Sequence, residues 1–188
     1  MLKHFLSRAT MLAAVAMLSV VSVSCSDDEE PQEPLPTPEV IGMMVTYEAQ
    51  IDSAMLNFLD VSVEYTDFDN RQVSAPVEGK TWSKMVAFER DNGGLPEYLG
   101  IFLKIAKKQS PVFEGEAARL EGFVDIRSYS IMSDSSVIQN AISSVGIPEK
   151  ITFSADKLDD YIERTNGIYT DYEVNLQYDE HGKIILNP

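Results

Sequence analysis

A single cysteine among 188 residues, Cys25, leaves the chain without any internal disulfide. Histidine is nearly as scarce. His4 lies in an N-terminal stretch that reads as a removable address, so His181 is the one imidazole left for general-base or metal-ligand work. It sits beside Gly182 in an expected hairpin turn, where an exposed turn residue is the simpler reading. The spacings HExxH, GxSxG, GxxxxGK[ST] and CxxC are all missing, and Gly93-Gly94 has neither a lysine nor a following helix signal to cradle a phosphate. No catalytic residue, metal site or cofactor is therefore expected, and the chain reads as a non-enzyme. Basic residues are few, 15 Lys+Arg against 30 Asp+Glu, and a formal charge of −15 repels phosphate backbones. Nucleic acid is thus a poor partner, while a basic one stays open. No apolar run approaches the roughly twenty residues of a membrane-spanning helix.

What is present begins with an address. Lys3, His4 and Arg8 precede a stretch from Met11 to Val23 that is apolar apart from Ser19 and Ser22, the n-region and core of a signal peptide. Lys3 and Arg8 are the only formally charged residues of the first 24. Without that stretch, 13 basic residues face all 30 acidic ones, a formal charge of −17. Small residues Ser22, Val23 and Ser24 close the apolar core directly before Cys25. This segment resembles a bacterial lipobox, in which the cysteine is acylated and becomes the first mature residue; Ser22 stands where most lipoboxes carry leucine. The resemblance implies that Cys25 is the lipid attachment site. Behind it, Ser26, Asp27, Asp28, Glu29 and Glu30 resemble the acidic export signal of Bacteroidetes surface lipoproteins, which implies an outer-membrane protein displayed toward the cell exterior. Acyl chains contribute about 0.8 kcal/mol per buried CH₂, so several of them hold a protein at the membrane permanently. The membrane partner is then the anchor's business, and the folded part needs no lipid-binding surface of its own.

Residues 1–24 are thus expected to be signal, and 25–40 a lipidated tether. Four consecutive acids and Pro31, Pro34, Pro36 and Pro38 cannot bury enough to fold and favour an extended chain of about 3 Å per residue. Residues 41–188 show no repeat and no second linker, so one domain is expected, with an ordinary composition of 44% hydrophobic and 24% charged residues for the whole chain. Val61-Ser62-Val63-Glu64-Tyr65 alternates with the period of a half-buried strand, and the polar run Thr66 to Gln72 turns it toward a partner near Val73. Met43 to Ile51, Trp82 to Phe88, Tyr98 to Ala106, Ala118 to Ile131, Ile168 to Tyr178 and Lys183 to Leu186 are further strand candidates. Ser154 to Arg164 reads as a helix with an N-cap serine and a stop at Asn166-Gly167, and Asp134 to Val145 as a second helix ended by Gly146-Ile147-Pro148. Ser53 to Leu59 reads as a short turn. Many strands, few helices and no βαβ alternation predict a mainly β fold, an antiparallel β-sandwich or partly closed barrel with one to three short helices. The stretch from Tyr47 through Asp60 to Asp67 and on to Trp82 also resembles uncharacterised Bacteroidetes lipoproteins whose domain opens with comparable strands and a tryptophan, a resemblance that implies no activity and no functional residues.

Three patterns could still carry chemistry. Asp67, Asp69 and Asn70 gather oxygen ligands at a hairpin tip, but without the glycine and terminal glutamate of an EF-hand they read as a polar turn. Trp82, Phe88, Tyr98, Phe102, Phe113, Tyr129 and Tyr169 could stack sugar rings, yet most fall at positions expected to face a core. Lys107-Lys108 closes a predicted strand and reads as edge protection. The expected function is a non-enzymatic binding or structural accessory module on a lipid anchor, its protein or glycan ligand unidentified. The alternatives are a glycan-binding or carbohydrate-active component of a polysaccharide-uptake system, and an assembly subunit that exchanges its C-terminal strand.

Overall fold

The computed structural model describes residues 37–144 and 149–185; the proposed signal, Cys25, the acidic run Ser26 to Glu30 and most of the tether lie outside them, as does Leu186. Residues 36–188 form one compact unit. Its strands are β1 (Val40–Ile51), β2 (Leu59–Thr66), β3 (Gln72–Pro76), β4 (Thr81–Glu89), β5 (Tyr98–Lys107), β6 (Ala117–Met132), β7 (Val137–Ser144), β8 (Glu149–Ser154), β9 (Ile168–Asn175), β10 (Gln177–Tyr178) and β11 (Ile184–Ile185), with one α-helix, α1 (Leu158–Arg164). All named strand pairs are antiparallel. One sheet runs β4-β1-β6-β7, with β8 also on β6; a second runs β3-β2-β5-β9; β10 and β11 form a small third. The two large sheets make a sandwich and do not close into a barrel.

Alternation explains the layers. From Met43 onward in β1 the odd residues Met43, Val45, Tyr47, Ala49 and Ile51 are buried and the even ones are half-exposed, while in β2 Leu59, Val61, Val63 and Tyr65 are the buried set. Such one-sided strands can bury their apolar face only against another sheet. β5 adds Leu99, Ile101, Leu103 and Ile105, and β6 adds Ala118, Leu120, Val124 and Ile126. Rings knit the layers together. Tyr47 of β1 meets Tyr65 of β2 at 5.4 Å between centroids, and Tyr65 meets Trp82 of β4 at 5.2 Å, so the tryptophan packs on the core as its strand position predicted.

β6 is long enough to take neighbours on both edges. Gly122 pairs with Ile51 on one side and Glu149 on the other, so β8 continues the edge that β7 begins. A methyl group at Gly122 would stand 2.7 Å from the Gln50 carbonyl oxygen, closer than a real Cβ approaches, which makes this glycine a packing requirement.

The second expected helix, Asp134 to Val145, is instead a turn and a strand over 134–144, and Val145 lies outside the described residues. Asp134 accepts hydrogen bonds on Oδ1 from the Ser136 N–H (2.9 Å) and hydroxyl (2.6 Å), Ser135 takes φ 69°, and Met132 N–H closes on Ser136 O at 2.9 Å. That hairpin turn delivers β7 onto β6. The apolar residues Val137, Ile138 and Ile142 fit a helical period, but β-branched side chains suit a strand equally, and pairing with β6 decides between them. A register shift between Arg127 and Tyr129 absorbs the mismatch with a period of two. β8 was not expected at all.

The other helical expectation holds in part. Ala155–Lys157 form a 3₁₀ turn and Leu158–Arg164 the α-helix, but the Ser154 hydroxyl bonds the Asp156 carboxylate and caps no backbone N–H. The helix does stop at Asn166 and Gly167, both with positive φ, and the Gly167 N–H returns to Ile162 O at 2.8 Å. Ser53–Asn57 is a 3₁₀ turn capped by Asp52, whose Oδ1 accepts from the Ala54 N–H at 3.0 Å. Among the described residues no helix is long and apolar enough to cross a membrane.

Candidate functional site

The outward face of the second sheet carries an open groove. Its floor follows from register: Ser62 of β2 lies between Pro76 of β3 and Lys104 of β5, Asp60 lies opposite Ala106, and Ser74 lies opposite Glu64. Serine, alanine and proline are short, so the floor sinks where the rest of a sheet face would be filled by longer side chains. Two walls rise beside it. Leu56, in the Ser53–Asn57 turn, is fixed by its own carbonyl, which accepts a hydrogen bond from Lys108 Nζ at 2.6 Å. Asn166-Gly167 is held to β5 where the Ile105 N–H donates to Gly167 O at 2.8 Å. At the β3 end Val77 is buried and its N–H reaches Val61 O at 2.9 Å, which places Glu78 at the rim. The open groove encloses about 800 Å³.

Charge in this groove is unevenly satisfied. Lys104 is paired with Glu64, and Lys108 is committed to the Leu56 carbonyl. The side chains of Asp60, Ser62, Ser74, Glu78 and Asn166 make no hydrogen bond or ion pair among the described residues. A carbonyl is no counter-ion, so the Lys108 cation shares the groove with the unpaired Asp60 and Glu78 carboxylates. No aromatic ring lines the groove.

Farther along the same face, Tyr98 lies across Gly100 and its hydroxyl donates to Glu173 Oε2 at 2.9 Å. Burial, then the bond to Glu173, hold that phenol well above its ordinary value. Asp171, opposite Phe102 in register, is raised above the usual carboxylate range by desolvation and then by Glu173. The first sheet carries a different cluster: Arg127 pairs with Glu48 (3.2 Å) and with the buried Asp125 (2.9 Å), and Glu48 chiefly holds the guanidinium in its charged form.

The residues singled out by sequence are scattered. His181 occupies the β10–β11 turn, where its carbonyl accepts from the Val40 N–H at 2.9 Å and Nε2 lies 3.6 Å from Glu180 Oε1. At the β2–β3 tip Asp69 faces Arg71 at 3.3 Å and Asn70 Nδ2 reaches Gly93 O at 3.4 Å; among the described residues no three His, Cys, Asp or Glu side chains converge as metal ligands. Lys107-Lys108 is not edge protection, because β5 lies between β2 and β9. Lys107 instead reaches Asp159 of α1 at 2.6 Å, and Lys108 fixes the Leu56 wall. Of the rings, Phe88 and Tyr169 are buried, and Phe113 stacks on Phe58 at 5.0 Å. Only Tyr98 and Phe102 share the outward face of the second sheet.

Asp60, Glu78 and the serine floor went unremarked in sequence. The alternation through Val61 and Val63 does place Ser62 and Glu64 outward, but alternation marks a face without saying that it is concave. In comparisons with protein-family models, curated proteins and solved structures, nothing matches this chain.

Proposed function

We propose that this protein is an outer-membrane lipoprotein, anchored through Cys25 and displayed toward the cell exterior by the Ser26 to Glu30 signal, whose β-sandwich is a non-enzymatic binding module. The groove on the second sheet is the observation that carries the binding part of this reading. It is concave, its apolar lining includes Leu56, Pro76 and Ala106, and the side chains of Asp60, Ser62, Ser74, Glu78 and Asn166 on it make no hydrogen bond or ion pair among the described residues. The anchoring part is supported by the apolar core ending at Ser24-Cys25 and by the prolines behind it. Radiolabelled palmitate incorporated by the wild type and not by Cys25→Ala tests the anchor, and equal labelling of the two refutes it. Protease shaving of whole cells tests display, with full protection of the domain placing it on the periplasmic side.

A second reading, a glycan-binding component of a polysaccharide-uptake system, is favoured by one observation: Tyr98 and Phe102 share a face with Asp171 and Glu173. Binding of a neutral oligosaccharide that is lost in Phe102→Ala and kept in Asp60→Asn would decide for it.

A further inference from the structure

We infer that Asn92-Gly93, in the turn between β4 and β5, is a site of spontaneous deamidation, and that the fold protects the other such pair, Asn166-Gly167. These are the only two Asn-Gly pairs in the sequence, and the inference is independent of both the groove and the anchor. Asparagine is a thermolabile residue. When glycine follows it, no Cβ obstructs the approach of the glycine nitrogen to the asparagine side-chain amide carbon. The new C–N bond closes a succinimide ring, and the bond from that carbon to the side-chain nitrogen breaks. That nitrogen leaves as ammonia, carrying the proton given up by the glycine amide. Water then opens the ring at either carbonyl to give aspartate or isoaspartate, so only solvent is consumed.

Exposure does not separate the two pairs. Both asparagines are exposed, and neither side chain makes a hydrogen bond or ion pair among the described residues. The backbone separates them, because the glycine N–H must release its proton and its nitrogen must swing toward the side chain. At the second pair the Gly167 N–H donates to Ile162 O at 2.8 Å, Gly167 O accepts from the Ile105 N–H at 2.8 Å, and the Asn166 N–H reaches Glu163 O at 3.1 Å. Held by α1 on one side and β5 on the other, that peptide unit reacts only after local opening. The first pair has no such hold. Its bonds run from the Asn92 N–H to Glu89 O (3.1 Å) and from Asn70 Nδ2 to Gly93 O (3.4 Å), and neither engages the Gly93 N–H. An isolated bridge to Glu89, on the edge strand β4, is its single ladder contact among the described residues. Gly93 and Gly94 both take positive φ, 92° and 82°, a region that glycine enters and leaves at little cost. Reaction there adds a carboxylate beside Asp91 and, in the isoaspartate form, an extra carbon to the main chain.

Ageing the purified full-length protein in mildly alkaline buffer, folded and in parallel in concentrated urea, tests this. Oxygen-18 water labels the incoming oxygen, and peptide mapping by mass spectrometry follows each pair, with electron-transfer fragmentation separating isoaspartate from aspartate. In the folded protein position 92 is expected to react about tenfold faster than position 166, the factor that a local opening of about 1.4 kcal/mol imposes. In urea the two rates should converge, because nothing but the fold distinguishes the pairs. Asn92 is exposed, so Asn92→Gln keeps the fold and should remove the labelled product at 92 while leaving the rate at 166 unchanged. Equal rates in the folded protein, faster reaction at 166, or reaction at 92 in urea alone overturns the inference. A rate ratio that persists in urea also overturns it, since the local sequence and not the fold would then set the difference.

Discussion

Two hydroxyls in the core should respond to deletion with opposite sign. Tyr47 is fully buried, and its phenol makes no hydrogen bond of normal geometry. Burial drives its ionisation far above the ordinary tyrosine value, and a nearby Thr66 hydroxyl only tempers that rise. A buried hydroxyl without a partner costs about 1–3 kcal/mol. Tyr47→Phe removes that cost and keeps the ring against Tyr65, so the domain should gain about 1 kcal/mol, or about 2–4 °C in Tm for its size. Thr66, itself buried, is the contrary case. Its Oγ1 accepts from Gln72 Nε2 at 2.9 Å and from the Gly100 N–H at 3.0 Å. Thr66→Val strands the Gly100 N–H inside the sheet and should cost about 1–3 kcal/mol. Urea unfolding followed by circular dichroism, with the double variant completing a cycle, measures both effects and their coupling. A loss of about 1 kcal/mol or more in Tyr47→Phe, with coupling to Thr66→Val of similar size, would show that the phenol is satisfied and that the reasoning is wrong.

Other expectations follow from the same packing. Gly122→Ala drives a methyl into the Gln50 carbonyl between β1 and β6 and should destabilise by about 1–3 kcal/mol, whereas an unchanged urea midpoint would mean that the two strands separate freely. Burial is the chief cause that raises the Tyr47, Tyr98, Tyr169 and Tyr178 phenols far above the ordinary tyrosine value. Their folded state therefore holds protons that the unfolded chain releases, so this stability is complete below about pH 10 and is lost as pH rises from there toward the folded values. Absorbance at 295 nm should show these phenols titrating together with unfolding; smooth titration in a folded protein would contradict their burial.

Legibility varied with the length scale of the interaction. β2 was readable because Val61, Val63 and Tyr65 alternate with polar residues, and one buried face imposes that alternation directly. The Thr66 to Gln72 turn and the Asn166-Gly167 stop were readable for the same local reason, since positive φ at Asn70, Asn166 and Gly167 is a property of a few residues. β7 was misread because Val137, Ile138 and Ile142 satisfy a helical period, and the choice belongs to β6, which ends only five residues earlier in the chain yet must be paired along its free edge. Lys107 and Lys108 failed for a related reason. Whether a strand is an edge depends on the neighbour that arrives much later, here β9.

The sequence by itself determined the composition of the two faces: apolar residues at alternate positions must be buried, polar ones must stay out, and these patterns together require stacked antiparallel sheets. It also contains the acidic balance that disfavours nucleic acid and the N-terminal pattern behind the proposed anchor. Only the tertiary structure decided where the outward face is hollow. The groove joins Leu56, Ser62, Ser74, Glu78, Lys104 and Asn166, residues spread over more than a hundred positions, and its depth comes from short side chains that are unremarkable until strand register lines them up beneath two walls. Local periodicity fixes which way a side chain points; concavity is set by neighbours distant in sequence.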